Sequence, residues 1–313
     1  MKSNFSGIDT AISVPESTNV VRYKKGDVLI SNIRPYLKKV WAANRNGGCS
    51  ADVFVFRAKK LSPSFLLYVM ANDTFINYVM TGAKGVKMPR GDKQQILKYT
   101  LAVPMAEEQH KICYLMTLLD ERITTQNKII DKLESLIKGL GEEIANSAYA
   151  NTMLKRCLEC HTSALQESDV NSRGNYPVYG ANGIVGYSET YQAECDAILI
   201  IKDGSSVGSV STVCGKFSVI GTLNYLTPKV NYSLHYIYFC LKSFNFYPYK
   251  TGMAIPHIYF KDYSNAKIYC PSFEIQCTLA KGLMNIESKI KIERKYLTSL
   301  IKQKTFLLQQ MFI

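Results

Sequence analysis

The stretch that decides the fold reads KICYLMTLLDERITTQNKIIDKLESLIKGLGEEI at residues 111–144. Its counterpart, 167 positions later, reads TLAKGLMNIESKIKIERKYLTSLIKQKTFLLQQM at residues 278–311. In both stretches apolar residues recur at alternating spacings of four and three, which is the heptad pattern of a coiled coil. The sequence therefore predicts two long helices with matching apolar seams.

Charge indicates how the two helices are arranged. Residues 106–150 carry a net charge of −3 and residues 273–313 a net charge of +4, so the helices are expected to pair with each other rather than with themselves. Each helix follows its own globular part, so antiparallel pairing would place the globular parts at opposite ends. The alternative is that each helix packs only on its own globular part.

Six residues near the middle of the seams are predicted to make the pairing. They are Ile123, Gln126, Ile130, Ile290, Glu293 and Leu297. Gln126 and Glu293 occupy the same heptad position, and a polar residue within a coiled-coil seam can set the register of the helices. The alternative is that both polar side chains are simply solvated.

The segments around the helices are duplicated as well. Pro104-Met-Ala-Glu-Glu-Gln109 recurs as Pro271-Ser-Phe-Glu-Ile-Gln276, and Thr81-Gly82 recurs as Thr251-Gly252. A period of this length is too long for a solenoid. It indicates two copies of one module, each ending in a long helix.

Each copy has the same order of predicted elements, which gives an α+β fold with two α/β modules, each followed by a long helix. The predicted strands are Val28 to Ile30, Val53 to Phe56, Ile198 to Ile201 and Val207 to Val213. The predicted short helices run from Ser64 to Met80 and from Leu234 to Lys242, and a further strand then ends at Pro104 or Pro271. The predicted domains are a first module at 1–105, a first helix at 106–150, a second module at 151–272 and a second helix at 273–313.

The chain is strongly basic. Its 313 residues carry a net charge of +13, which suits a polyanionic partner such as nucleic acid or an acidic membrane surface. The excess is concentrated in residues 1–105, which hold 16 Lys and Arg against 6 Asp and Glu. No apolar run is long enough to cross a bilayer, and no export signal is visible. Nine cysteines without such a signal indicate reduced thiols in a cytoplasmic protein.

Two loops in each copy are candidates for binding DNA, because cations there would release counterions from phosphates and glycine would let the backbone approach closely. Arginine can also bind a guanine edge through two hydrogen bonds, whereas lysine supplies a point charge. In the first copy the candidates are Arg34, Lys38, Lys39, Arg45, Lys84, Lys87, Arg90 and Lys93. In the second copy they are Lys202, Ser205, Ser206, Lys250, His257, Tyr259 and Lys261. For each of them a solvated surface role is the alternative.

The order and duplication of these segments resemble the specificity subunit of type I restriction–modification systems. The resemblance is carried by Lys25-Gly-Asp-Val-Leu-Ile-Ser31, Tyr176-Pro-Val-Tyr-Gly-Ala-Asn-Gly-Ile-Val-Gly186 and Thr251-Gly-Met-Ala-Ile-Pro256, and it covers nearly the whole chain. It implies that each module is a target recognition domain that reads half of a split site in double-stranded DNA. It also implies that the paired helices act as a spacer and dock two methyltransferase (modification) subunits, which restriction subunits then join.

Catalytic motifs are not visible in the sequence. It lacks the Asn/Asp-Pro-Pro-aromatic segment of amino-methyltransferases and the glycine-rich phosphate loop, so we expect a non-catalytic subunit without a cofactor. Cys157-Leu-Glu-Cys-His161 matches a haem-attachment pattern and could supply half of a zinc site. A metal-dependent nucleic-acid enzyme that uses Cys157, Cys160 and His161 is therefore an alternative, although no bound metal is expected because further ligands are not visible nearby.

The two copies differ at their beginning. A shift of 170 residues places Met1 opposite Asn171, so the opening of the second copy, about Leu154 to Val170, has no counterpart in the first. A truncated or silent variant of a specificity subunit is therefore a further alternative.

Overall fold

A computed structural model describes residues 1–3, 5, 7–9, 20–145 and 149–312. The chain divides into two compact units, the first formed by residues 1–128 and 294–313 and the second by residues 129–293. Each unit thus combines one module with part of both long helices. Residues 10–19 of the predicted first domain and residues 146–148 of the predicted first helix lie outside the described residues.

Two small antiparallel sheets form the β part of the first unit. The strands are β1 (Val20–Tyr23), β2 (Val28–Ser31), β3 (Val40–Ala42), β4 (Gly47–Ser50) and β5 (Val53–Phe56). β1 pairs with β4, while β2 lies between β3 and β5. The predicted strands at Val28 and Val53 are therefore present, and the more buried of the two lies at the centre of its sheet.

Helices pack on the β3-β2-β5 sheet of the first unit and on one another. They are α1 (Pro63–Ala71), α2 (Asp73–Thr81), α3 (Lys93–Ile96) and the first part of α4 (Ala106–Ala145). The single helix predicted from Ser64 to Met80 is wrong, because the chain breaks at Asn72. The extended backbone of Asn72 lets its side-chain oxygen accept a hydrogen bond from the Thr74 amide at 3.1 Å, which starts α2.

The second unit has two four-stranded sheets and a two-stranded pair. Its strands are β6 (Thr152–Met153), β7 (Leu158–Thr162), β8 (Tyr176–Gly180), β9 (Gly183–Ser188), β10 (Ala193–Glu194), β11 (Ala197–Ile201), β12 (Val210–Val213), β13 (Lys216–Val219), β14 (Leu223–Pro228) and β15 (Lys267–Ile268). The strand orders are β10-β13-β8-β9, β12-β11-β14-β7 and β15-β6. Among these described strands, β13 and β8 pair in parallel and the other neighbours are antiparallel. The predicted strand from Val207 is shorter than expected, since residues 205–208 form a turn and β12 begins at Val210.

The central strand β11 explains why this unit has two hydrophobic cores. All five of its residues are buried, and successive side chains of a strand point to opposite faces. Ile198 and Ile200 therefore join one core, while Leu199 joins the other. The first of these cores is closed by three helices, α5 (Leu154–Cys157), α6 (Leu234–Lys242) and α7 (Phe260–Tyr263), and by the start of α8 (Phe273–Met311).

Parts of α4 and α8 pack together in both units. In the first unit, Met116 and Leu119 share a core with Leu308, and Lys304 forms an ion pair with Asp120. In the second unit, the later α4 residues Ile137, Leu140 and Ile144 pack on a core that contains the earlier α8 residues Ala280 and Leu283. Contacts in which later residues of one helix meet earlier residues of the other define an antiparallel pair. The predicted fold class, with two modules and two antiparallel long helices, is confirmed.

The recurrent Pro-x-x-Glu-x-Gln-like segment acts as a clamp at the start of each long helix. Gln109 is 5% exposed; its oxygen accepts a hydrogen bond from the Ser62 amide at 3.1 Å, and its amide group donates to the Pro104 carbonyl at 3.0 Å. Gln276, only 1% exposed, makes the same bonds with Ser233 at 3.0 Å and Pro271 at 2.9 Å. Each glutamine thereby joins a long helix to the capping residue just before a short one, because Ser62 and Ser233 are the N-caps of α1 and α6.

Candidate nucleic-acid interface

A short hairpin lies at equivalent places in both modules. The first hairpin, Lys84–Arg90, is closed by two backbone hydrogen bonds of 2.9 Å between its end residues. The second hairpin, Thr251–His257, is closed in the same way by bonds of 2.9 and 2.7 Å. The two hairpins have the same length and lie 167 positions apart, which is also the spacing of the two long helices.

Glycine sets the shape of both hairpins. Gly85 and Gly252 have φ angles of +94° and +85°, a region that other residues avoid. A Cβ atom on Gly252 would also overlap the carbonyl oxygen of Ile255. The sequence alignment of Thr81-Gly82 with Thr251-Gly252 is therefore wrong by three residues, since the structural counterpart of Gly252 is Gly85.

Each hairpin is attached to the loop that follows the central strand of its module. In the first module the Arg34 amide donates to the Pro89 carbonyl at 2.8 Å; in the second, the Gly204 amide donates to the Pro256 carbonyl at 3.0 Å. A single β-bridge also pairs Ile33 with Arg90 of the first hairpin, and another pairs Asp203 with His257 of the second. The two predicted loops of each module thus meet and form one surface.

The predicted cations of the first module are only partly brought together on this surface. Arg34 adjoins the hairpin, and Lys84, Lys87 and Arg90 are exposed on the hairpin itself. Lys93 is exposed as the first residue of α3.

The remaining three candidates of this module are used differently. Lys38 forms an ion pair with Asp73 at the start of α2. Lys39 is half-buried, and its carbonyl accepts a hydrogen bond from the Ser31 amide at 3.0 Å. Arg45 is exposed in the turn between β3 and β4. Of these three residues, Lys38 is the one whose side chain already pairs with a carboxylate of this chain.

Acidic residues that the sequence analysis did not select accompany these cations. Lys84 Nζ lies 3.2 Å from Asp92, and Arg90 lies 3.3 Å from Asp52. The hydrogen bond from Lys84, helped by two backbone amides of α3, lowers the pKa of Asp92 below its usual value. All four side chains remain solvent-accessible, so these pairs orient the cations without removing them from water.

An aspartate organises the candidates of the second module. Asp203 accepts a hydrogen bond from Lys202 at 2.9 Å and lies 2.8 Å from Nδ1 of His257. Partial burial alone would raise the pKa of Asp203, but the bonds to His257 and Lys202 outweigh it and lower the pKa. The ring of Tyr259 lies 6.5 Å from that of His257, and Lys261 sits over Tyr259 at 5.5 Å.

The remaining candidates of this module lie nearby in sequence. Ser205 and Ser206 are exposed in the loop after β11, and Lys250 is exposed just before the second hairpin. Asp203 itself was missed because an aspartate in a basic protein gives no sequence signal of this role. Only its place directly after Lys202 could have drawn attention to it.

The six predicted pairing residues are distributed over both units. In the first unit, Gln126 is buried at 5% exposure, while Ile123 and Leu297 are half-buried. In the second unit, Ile130 and Ile290 are buried, and the Glu293 side chain is 12% exposed and lies 2.5 Å from Lys289. This burial contradicts a solvated role for Gln126; its role in setting the register stays a prediction.

The cysteine–histidine segment of the second module has a structural role. Cys157 ends α5 with its sulfur 3.8 Å from that of Cys270, while His161 on β7 bonds Thr227 at 2.9 Å and stacks on Tyr225. Within the described residues, no three His, Cys, Asp or Glu side chains are placed to share a metal ion. The alternative of a metal-dependent enzyme built on Cys157, Cys160 and His161 is therefore not supported. Over the same residues, no helix has the length and apolar character needed to cross a membrane.

Comparison with known proteins agrees with this architecture. Residues 2–135 and 159–302 match the family described as type I restriction modification DNA specificity domain. The chain is 25% identical over 144 residues to the type I restriction enzyme EcoDI specificity subunit of Escherichia coli. It is 28% identical over 120 residues to the putative type I restriction enzyme specificity subunit S.HindORF215P of Haemophilus influenzae. These matches cover 46% and 37% of this chain, and they span only 32% and 31% of the curated relatives' own lengths.

Two solved structures share the fold. One, from work on complex assembly and conformational transition of the type I R-M system, matches 94% of this chain and 83% of its own, with a TM-score of 0.63 and 19% identity. The other is the S subunit of a type I restriction–modification system from M. genitalium; it matches 99% of this chain and 89% of its own, with a TM-score of 0.61 and 17% identity. At such identities the likeness establishes the fold alone. Since the family match spans most of both modules, the chain belongs to the type I restriction–modification DNA specificity family.

Proposed function

We propose that this chain is the DNA-recognition subunit of a type I restriction–modification complex. Each module would read one half of a bipartite site in double-stranded DNA. The observation that carries the proposal is the duplicated surface, in which the same backbone frame presents a hairpin and an adjoining loop twice in one chain. A protein that reads two half-sites needs two such surfaces.

In the first module the hairpin would meet DNA through its cations. Lys84, Lys87 and Lys93 would bind phosphates as point charges, and Arg34 and Arg90 have the forked geometry that suits a guanine edge. Lys39 and Arg45 would add contacts from neighbouring turns. Arg90 would exchange its Asp52 partner for DNA, so its net contribution to DNA affinity is reduced by the loss of the existing ion pair.

The second module carries less charge and more hydrogen-bonding groups. The exposed hydroxyls of Ser205 and Ser206 and the ring of Tyr259 would contact DNA beside His257, whose orientation is set by Asp203. Lys202, Lys250 and Lys261 would supply the phosphate contacts. This module therefore depends more on base edges and less on charge than the first.

The antiparallel helices would form the platform for two methyltransferase subunits. Exposed apolar residues along them, Leu136 at 48% and Ile292 at 61% exposure among others, offer contact area outside the intramolecular seams. The register of the pairing would be set by Ile123, Gln126, Ile130, Ile290, Glu293 and Leu297. Catalysis and its cofactor would belong to the partner subunits, this chain acting as a non-catalytic cytoplasmic component that restriction subunits can also join.

The direct test is assembly followed by mapping. The full chain is co-expressed and co-purified with the methyltransferase subunit from the same system, and methylated adenines are mapped on genomic DNA. We expect a split sequence motif with two specific halves. Methylation without sequence preference by an intact complex would contradict the proposal.

A salt titration tests the first hairpin separately. The logarithm of DNA affinity should fall linearly with that of salt concentration, by about 0.9 per phosphate contact. Replacing Lys84, Lys87 and Arg90 with alanine should flatten this slope by about 2 to 3. A Lys59→Ala/Lys60→Ala variant, exposed before α1, is the matched control and should retain the slope. Equal slopes for all three proteins would place the first hairpin away from DNA.

A further inference from the structure

Both hairpins expose large apolar side chains at their tips. Val86 is 102% exposed and its counterpart Met253 is 105% exposed, so neither touches the rest of the protein. Two positions further on, Met88 and Ile255 are 48% and 58% exposed. The segments Gly85-Val-Lys-Met-Pro89 and Gly252-Met-Ala-Ile-Pro256 thus share the pattern glycine, apolar, any residue, apolar, proline.

Single exposed apolar residues are ordinary on protein surfaces and need no explanation. The recurrence of such a pair at equivalent positions of two modules is different, because the other hairpin positions have diverged: Lys84, Lys87 and Arg90 stand where the second hairpin has Thr251, Ala254 and His257.

The tips are also held in place. In each hairpin, two backbone hydrogen bonds close the loop and a third fixes the residue after the second apolar position, Pro89 or Pro256, to the neighbouring loop. The apolar side chains therefore cannot fold back into their own module without breaking this frame. An apolar tip whose ends are fixed in this way loses less conformational freedom on binding a ligand than a free loop would.

The surroundings of the tips indicate what the ligand is. Lys84, Lys87 and Arg90 flank Val86 and Met88, and His257 closes the second hairpin next to Ile255. An apolar protein groove that enclosed the first hairpin would have to take Lys84, Lys87 and Arg90 out of water, which is costly. The DNA major groove instead offers phosphates at its rim and, at its floor, one apolar group, the C5-methyl of thymine.

We propose that Val86 in the first hairpin and Met253 in the second are specificity-determining residues that contact thymine methyl groups in the major groove. Each module would then recognise at least one thymine by an apolar contact, in addition to polar contacts from the surrounding residues. This inference rests on the proposed DNA-recognition function.

The test uses the assembled complex of the full chain with its methyltransferase subunit. Once the wild-type motif has been mapped, binding is measured on duplexes in which one thymine of the site at a time is replaced by deoxyuridine, which lacks only the methyl group. For wild type, one replacement in each half-site should weaken binding about fourfold, the factor expected for one buried methylene-sized group. Val86→Ser should lose this sensitivity in one half-site only, and Met253→Ser in the other half-site only.

The controls separate the possible failures. Val230→Ser, at a valine that is 86% exposed outside both hairpins, should retain both sensitivities. A wild-type complex that recognises a motif but tolerates deoxyuridine at every thymine, or whose half-site lacks thymine, would overturn this inference and leave the proposed function intact. Loss of the methyltransferase subunit from Val86→Ser or Met253→Ser during purification would overturn the inference. It would indicate that the hairpin tip contacts the methyltransferase subunit and not DNA. If wild type shows no sequence preference, the proposed function itself fails.

Discussion

Replacing Gln109 with alanine tests whether the glutamine of the recurrent segment holds the first unit together. The side chain is 5% exposed and bridges the Ser62 amide and the Pro104 carbonyl with bonds of 3.1 and 3.0 Å. Alanine removes both bonds and leaves two partly buried backbone groups without partners. Each such group costs about 1–3 kcal/mol, so Gln109→Ala should lower the free energy of unfolding by about 2–4 kcal/mol, less where water can enter the space.

The chain contains a single tryptophan, Trp41, and it lies on β3 of the first unit. Tryptophan fluorescence during urea unfolding therefore reports on the unit that contains Gln109. The matched control is Gln303→Ala, in which the same substitution is made at an exposed position of α8 that belongs to the same unit. Its effect should remain within about 0.5 kcal/mol.

The comparison of the two variants decides the matter. If Gln109→Ala and Gln303→Ala unfold at the same urea concentration, the clamp contributes nothing to stability, and the recurrence of Gln109 and Gln276 needs another explanation. A shift seen only by circular dichroism and not by Trp41 fluorescence would also contradict the reasoning, because it would place the effect outside the first unit.

Two further predictions concern stability. Asp27 is 2% exposed and accepts two hydrogen bonds of 2.7 Å from Arg57, and these bonds lower the pKa of Asp27. The ionised Asp27 therefore stabilises the folded chain at pH values above the usual carboxyl pKa. This contribution to the free energy of unfolding is lost as the pH falls through the lowered pKa. Asp27→Asn should therefore cost about 1–3 kcal/mol at neutral pH and weaken the acid dependence of Trp41 fluorescence, whereas an unchanged acid transition would exclude Asp27 as its source. In α4, a Cβ atom added at Gly139 would meet no atom within 4 Å, so Gly139→Ala should raise the free energy of unfolding by about 1 kcal/mol. Gly141→Ala, whose Cβ would lie against the Ser243 hydroxyl, should lack that gain; equal melting temperatures would refute this contrast.

The long helices could be predicted from the sequence because their signal is local and repeated. The predicted seams include Met116, Leu279 and Leu300, which belong to the apolar residues that recur at spacings of four and three. Met116 is fully buried and Leu300 is 4% exposed. Leu279 is an exception at 37% exposure. The clamp residue Gln276 faces inward at the start of α8, and at 3.6 residues per turn the residues four and seven positions later lie about 40° and 20° from it around the helix, whereas the residue three positions later lies about 60° away. That places Ala280 and Leu283 inside and leaves Leu279 at the side.

The break between α1 and α2 could not be predicted, because its cause lies far away in sequence. Apolar residues continue on both sides of Asn72, so periodicity indicates one helix. The Asn72 amide group donates to the carbonyls of Leu308 and Phe312 at 3.0 and 3.2 Å, more than 230 positions later in the chain. A polar residue whose partners are the last carbonyls of a distant helix gives no local signal beyond its preference for helix starts.

The candidate surface was predictable in composition but not in arrangement. Cations and glycines indicated which loops would take part, and the two loops of each module do meet. The repeated dipeptide Thr-Gly suggested the wrong alignment, because it ignored which glycine must adopt a positive φ. The acidic partners Asp52, Asp92 and Asp203 could not be selected, because their roles depend on distances that only the folded chain defines.

The two surfaces share a backbone but differ in chemistry, and this difference bears on what they can recognise. The bond from residue 34 or 204 to the hairpin proline is 2.8 Å in one module and 3.0 Å in the other. Yet the side chains on this common frame are Arg34 against Gly204 and Arg90 against His257. An arginine fork and an imidazole held by an aspartate have different hydrogen-bonding patterns and cannot select the same base pair with equal preference. If the shared backbone sets where each module meets DNA, these differences between the modules require the two half-sites to differ in sequence. A palindromic motif would contradict that conclusion.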